Sequence, residues 1–227
     1  MNLFRSLLLI AAVMAQPAVA QVPPGAEEIS RYTGLHAAAQ HGNVAEIGTL
    51  VSAGNDINAR DSYGRTPLHV ATFARQRDAI SALIAAGART DLLERDRYDA
   101  VTIAAVADDE DTLHVLLSLG ASARLTTSRY DGTALIAAAH LGHDGVVRQL
   151  IAAGASLDHV NNLHWTALIE SIVLGDGGRR HVETLRALVE AGANTQLADR
   201  NGATPLTLAK ARNYQAMVEI LEKAGAR

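Results

Sequence analysis

Nine histidines are the residues of this 227-residue chain best suited to chemistry, since an imidazole can bind a metal or move a proton near neutral pH. Only His159 and His164 stand where two rings could converge, and no acidic pair at ligand spacing accompanies them, so no metal is expected. His36 and His69 close two similar tetrapeptides, Thr33-Gly34-Leu35-His36 and Thr66-Pro67-Leu68-His69. His41, His140, His143 and His181 fall near helix ends or in the loops between helices, and His114 falls on the outer face of a helix. The acidic run Asp108-Asp109-Glu110-Asp111 stands at a helix start, where negative charge meets the positive end of the helix dipole. It has neither the alternating oxygen ligands nor the glycine bend of a calcium loop. Gly175-Asp176-Gly177-Gly178 follows no strand, so a phosphate cradle is not expected, and no nucleophile-elbow sequence surrounds any serine. With no cysteine there is no thiolate and no disulfide. No cofactor and no enzymatic activity are expected.

The elements behind these residues are helical. Hydrophobic residues make up 48% of the chain and aromatic residues only 4%, so the core is built from Ala, Leu, Val and Ile at close helix contacts. The net charge of −4 and the scattered Lys and Arg residues lack the basic stripe that a nucleic-acid partner requires.

The first twenty residues read differently. Arg5 supplies a positive start, Leu7 to Met14 form a short apolar run, and Ala18-Val19-Ala20 is a small-residue cleavage site before Gln21. The run is too short to span a bilayer. Residues 1–20 are therefore expected to be a signal peptide and residues 21–29 a flexible leader. The mature chain is expected in the periplasm, with secretion as the alternative, and without a membrane partner.

The remainder repeats. Gly54, Gly87, Gly120, Gly154, Gly192 and Gly225 recur at intervals of 33, 33, 34, 38 and 33 residues. Each closes a helix whose last turn carries an apolar pair or its remnant, Leu50-Val51 through Leu221-Glu222. Upstream, Thr66-Pro67-Leu68-His69 recurs in variants at Thr33, Thr133, Thr166 and Thr204, a helix start in which Thr caps the free amides. Small residues follow at one equivalent position: Ala38, Ala71, Ala104, Ala138, Ser171 and Ala209. In the third copy Asp99-Ala100-Val101-Thr102 replaces the tetrapeptide, and the fifth copy carries about five extra residues around 175–180, placed between its two helices. Lys210 and Glu222 replace apolar residues in the last copy, as a terminal unit with no further neighbour requires.

The period and the Thr-Pro-Leu-His motif resemble the ankyrin repeat over residues 30–227. The resemblance implies an all-α solenoid of six helix-turn-helix units with short turns or β-hairpins, spanning about 30–60, 61–93, 94–127, 128–160, 161–198 and 199–227. It assigns His36 and His69 to ties between neighbouring repeats. It also places Tyr63, Arg65, Phe73, Arg95, Tyr98, Arg129, Tyr130, His140, Asn162, Trp165, Val173 and Arg200 along a concave groove that binds a partner protein. Tyr63, Tyr98, Tyr130 and Trp165 are expected in one row, and aromatic and Arg side chains of this kind dominate protein-binding hot spots. The expected function is an exported, monomeric scaffold for another protein. Two alternatives stand beside it: an accessory factor that supports or protects an exported enzyme such as a catalase or peroxidase, and an effector directed at a host cell.

Overall fold

The computed structural model describes residues 21–227, so the signal peptide expected over 1–20 lies outside the described residues. Thirteen helices make up the described chain, with one isolated antiparallel bridge, Thr127 to Gly132. After α1 (Ala26–Arg31) they fall into six pairs: α2 (Gly34–Gln40) with α3 (Val44–Ser52), α4 (Pro67–Phe73) with α5 (Arg77–Ala85), and α6 (Ala100–Val106) with α7 (Glu110–Ser118). The remaining three are α8 (Ala134–Leu141) with α9 (Asp144–Ala152), α10 (Ala167–Val173) with α11 (Arg179–Glu190), and α12 (Pro205–Ala211) with α13 (Gln215–Lys223). First helices pack on first helices and second helices on second helices along the whole array, giving the two layers of a solenoid.

The start of each first helix follows from its cap. Thr66, Asp99, Thr133, Thr166 and Thr204 each accept a hydrogen bond from the backbone N–H three residues on, satisfying an amide that the helix leaves free. Asp99 therefore keeps the start of the third unit in its usual geometry. Its carboxyl, 1% exposed, is pushed up to about 6 by burial. Thr33 is the exception and makes no side-chain cap. The second helices end on glycines whose φ lies between +79° and +96°, a region in which a β-carbon is strained. There the N–H after each glycine closes back on the last turn, as Ala88 N–H does on Leu83 O at 2.9 Å.

Between the caps runs one continuous core. Leu35, Leu68, Val101, Leu135, Leu168 and Leu206 line the first helices, and Ile47, Ile80, Leu113, Val147, Leu185 and Val218 the second, all buried. Each such side chain contributes roughly 1.5–3 kcal/mol on burial. The six small residues from Ala38 to Ala209 are at most 1% exposed, which is what lets adjacent first helices approach. Neighbouring units are also joined at carbonyls that α-helices leave open. Gln76 donates to Gln40 O, His143 to Ala105 O at 2.9 Å, His181 to His140 O at 2.9 Å and Arg212 to Val173 O.

Two expectations are corrected at the edges. Residues 21–29 are no loose leader, because Ala26–Arg31 is helical, Pro24 is buried, and Val22 O accepts from Arg65 at 2.8 Å. The insertion does not lie wholly between the helices of the fifth unit. Where α9 has nine residues, α11 has twelve, so three extra residues add a turn to its N-terminus. That turn aims Arg180 back across two units, with two hydrogen bonds to Asp108 (2.8 and 2.9 Å) and one to Asp144 (3.3 Å). In the sixth unit Lys210 and Glu222, the polar replacements of apolar residues, pair with each other 2.7 Å apart.

Candidate functional site

The turns that lead into the first helices share one local device. A polar side chain opens each turn and accepts from the N–H groups two and four residues on. Asp61 accepts from Tyr63 and Arg65, Glu94 from Asp96 and Tyr98, Ser128 from Tyr130 and Gly132, Asn161 from Leu163 and Trp165, and Asp199 from Asn201 and Ala203. This fixes the register of every side chain on the turns. Burial raises the Glu94 carboxyl, which these amides in turn lower.

The twelve residues expected along the groove therefore sort into four registers. Arg95, Arg129, Asn162 and Arg200 are equivalent at the outer tips, and all four are exposed. Tyr63 and Tyr130 share the next register, with Asp96 and Leu163 between and after them. Tyr98 and Trp165 sit two residues deeper and are half-buried, as equivalents of Arg65. Phe73, His140 and Val173 lie near the C-terminal ends of the first helices, half-buried. The four aromatics accordingly do not form the single row expected of them. They alternate between two depths because successive turns place them at different offsets from the turn-opening residue.

The tips are bonded to one another across units. Arg95 N–H donates to Tyr63 O and Asn162 N–H to Tyr130 O, each at 2.9 Å. Arg129 donates to Asp96 at 2.7 Å, Arg200 donates to Asn162 O at 3.2 Å, and the Arg95 guanidinium lies 5.4 Å from the Tyr63 ring centroid. The result is a continuous edge from the second unit to the sixth, with Tyr130 38% exposed near its middle.

Arg65 is a correction. It is 2% exposed, with its guanidinium 4.5 Å from the Tyr63 ring centroid and 5.7 Å from that of Phe73. Val22 O and the Glu28 carboxylate take up its outward side, and Asp61 lies 3.7 Å away. A cation stacked between rings and bonded to the N-terminal segment is a joint within the protein and offers no surface to a partner.

One residue escaped the sequence reading. Glu170 stands on α10 where the other units place Ala37, Val70, Ile103, Ala137 and Leu208, and it is 5% exposed. Its Oε1 accepts from Asn161 Nδ2 at 2.7 Å, and its Oε2 is 3.6 Å from Nδ1 of His140. Burial pushes the Glu170 carboxyl up to about 7. The His140 imidazole is lowered by burial and by the nearby His181 and His143. Alignment of the registers was the available signal, since one carboxylate among five apolar equivalents stands out.

His159 and His164 are drawn to separate partners, His159 to Asp131 O and His164 to Arg200. Among the described residues, no group of three or more His, Asp or Glu side chains is arranged to hold a metal ion, and no helix is long and apolar enough to cross a membrane.

Comparison with known proteins agrees with this architecture. The family profile described as ankyrin repeats (many copies) matches residues 35–84, and that described as ankyrin repeats (3 copies) matches 101–194. The ankyrin repeat protein YahD of Escherichia coli is 33% identical over 190 residues, which cover 83% of this chain and 94% of YahD. An ankyrin repeat domain from Acinetobacter baumannii is 41% identical and superposes with a TM-score of 0.79, covering 85% of this chain and 98% of that one. A chain from the complex of a Bdellovibrio bacteriovorus predatory endopeptidase with an immunity protein is 26% identical, with a TM-score of 0.69 and coverage of 85% and 98%. With its caps, its period, its stacked helix pairs and these relatives in agreement, the chain belongs to the ankyrin-repeat family.

Proposed function

We propose that this chain is an exported scaffold that holds a partner protein against the face made by its turn tips and first-helix ends. An ankyrin-repeat scaffold suits protein–protein interaction, and one observation carries the reading to this face. The tips from Tyr63 to Arg200 are fixed to one another by backbone and side-chain bonds, while Arg95, Arg129, Tyr130 and Arg200 remain exposed along them. A rigid edge loses little conformational freedom when a partner docks, so more of the contact energy is retained as affinity.

The partner is to be captured from extracts of the cells that make the protein and identified by mass spectrometry. Tyr130→Ala with Trp165→Ala is expected to weaken that capture by about 1–2 kcal/mol, in keeping with the loss of aromatic hot spots. His114→Ala with Arg148→Ala, on exposed second-helix positions, should leave it within about twofold. Equal loss from both pairs would overturn the assignment of the face.

Export rests on Arg5, the apolar run and Ala18-Val19-Ala20. Intact mass of the protein from the periplasmic fraction is expected to correspond to a chain beginning at Gln21. A soluble cytoplasmic protein that retains Met1 would remove the export argument. A second reading, in which the partner is an exported enzyme that the scaffold supports or restrains, is favoured by the endopeptidase–immunity protein complex among the structural neighbours. It is supported if the captured partner is an enzyme whose turnover changes on binding.

A further inference from the structure

We propose that Glu170 is an anchoring carboxylate for a cationic side chain of the partner, with His140 as its cover and Asn161 as its support. The inference rests on the binding face proposed above and names the chemistry that this face would select.

The repeat register is the first ground. The position is apolar in the five other units, so packing alone asks for Ala, Val, Ile or Leu, and a carboxylate there works against the stability of the stack. The surroundings are the second. Among the described residues no Lys or Arg lies within ion-pair distance of Glu170. Its partners are the Asn161 amide at 2.7 Å and the His140 imidazole at 3.6 Å. Asn161 engages only Oε1, which leaves Oε2 turned toward His140. Place is the third ground. The His140 side chain is 25% exposed against 7% for Glu170, and its Nδ1 stands 3.6 Å from Oε2, so the carboxylate is more deeply buried than the imidazole beside it. His140 also occupies the register of Phe73 and Val173, on the proposed face. An ammonium or guanidinium that displaced the imidazole edge would meet a desolvated carboxylate already held on its other oxygen, the arrangement in which an ion pair is strongest.

The helices packed against α10 are α8, α11 and α12. The titratable groups they bring are His140 from α8 and, through its hydrogen bond to His140 O, His181 from α11. His143, beside α9, also bears on His140. Lys210 on α12 is paired with Glu222. Because burial raises the Glu170 carboxyl, a cation that binds it must displace a proton below neutral pH.

The probes are N-acetyl-lysine amide and N-acetyl-arginine amide, titrated into the full folded protein while the His140 imidazole resonances are followed by NMR. N-acetyl-norleucine amide and N-acetyl-citrulline amide serve as their neutral counterparts. At pH 8, saturable shifts with a Kd on the order of 10 mM are expected for lysine, arginine or both, in keeping with a single weak contact. The neutral pair should give none. Near pH 6 the cation should bind about tenfold more weakly, one decade per unit below the carboxyl's pKa. Glu170→Gln, which keeps the size of the side chain and its bond to Asn161, should abolish both the shift and its pH dependence. The proposal fails if neither cation shifts His140 at pH 8, or if Glu170→Gln responds as the wild type does. It fails separately from the binding face: capture sensitive to Tyr130→Ala with Trp165→Ala but no cation binding sinks the anchor alone. Cation binding with capture indifferent to that pair sinks the face alone.

Discussion

Replacing His69 with alanine is expected to lower stability by about 2–4 kcal/mol near pH 7.5, the sum of a buried side chain lost and buried polar partners left unmatched. The ring is 1% exposed and fully used. Nδ1 accepts from Thr66 N–H at 3.1 Å and lies 2.8 Å from Thr66 Oγ1. Nε2 therefore carries the proton and donates to Leu92 O at 3.0 Å, at the end of its own unit, and to Tyr98 O at 3.2 Å in the next. One imidazole thus closes the cap of α4 and ties the second unit to the third. Units of a solenoid are held mainly by their neighbours, so the variant should also loosen the array locally. Amide exchange in α2 to α5 should accelerate more than exchange in α8 to α13, and a loss below about 0.5 kcal/mol by denaturant titration would refute the tie.

The same ring sets an acid limit. Burial lowers the His69 imidazole to about 4, while the unfolded chain titrates near 6.5. Between these values the unfolded state binds the extra proton, so the contribution of His69 is complete above about pH 6.5 and is lost as pH falls toward 4. The slope is worth roughly 3 kcal/mol over the window and should be missing from His69→Ala.

How far such features could be read in advance depended on whether they repeat. The six glycine stops, the Thr caps and the small residues from Ala38 to Ala209 recur, and repetition exposes them without any knowledge of three-dimensional contacts. His69 belonged to that class because the motif itself includes it. Arg65 did not. Nothing in its neighbourhood signals that Val22, more than forty residues upstream, will accept its hydrogen bond, or that Tyr63 and Phe73 will enclose it. A turn-tip arginine and a buried one look alike until the chain has folded. Arg180 was hidden for the same reason, since its reach to Asp108 crosses two units. The two depths of the aromatics were recoverable, because the offsets of Tyr63, Tyr98, Tyr130 and Trp165 from their turn-opening residues follow from the spacing. So was Glu170, the departure from an apolar register, although the approach of Asn161 and His140 to it was not.

Glu170→Gln is expected to act in the opposite direction, raising stability by up to about 3 kcal/mol at pH 8 and leaving it almost unchanged below about pH 4.5. The folded carboxyl titrates at about 7 and its unfolded counterpart near 4.5, so within that window the folded state keeps a proton that the unfolded state has released. Stability is therefore eroded as pH rises from 4.5 to 7, and above 7 the fold contains an ionised, buried carboxylate without a cation. The amide removes this penalty, and its oxygen still accepts from Asn161. Because the slope of His69 has the opposite sign across the overlapping part of the range, the two groups partly cancel in the wild type. The buried Asp99 carboxyl, pushed up to about 6, opposes His69 in the same sense as Glu170. Glu170→Gln should therefore remove the net fall in stability between about pH 4.5 and 7 and leave His69 and Asp99 nearly balanced below pH 6. Thermal melts of both proteins from pH 4 to 8 read this directly, and equal melting curves at pH 8 would show that Glu170 is not held at a cost. The proposed anchoring role would offset this cost, which falls at the one register in six that is not apolar.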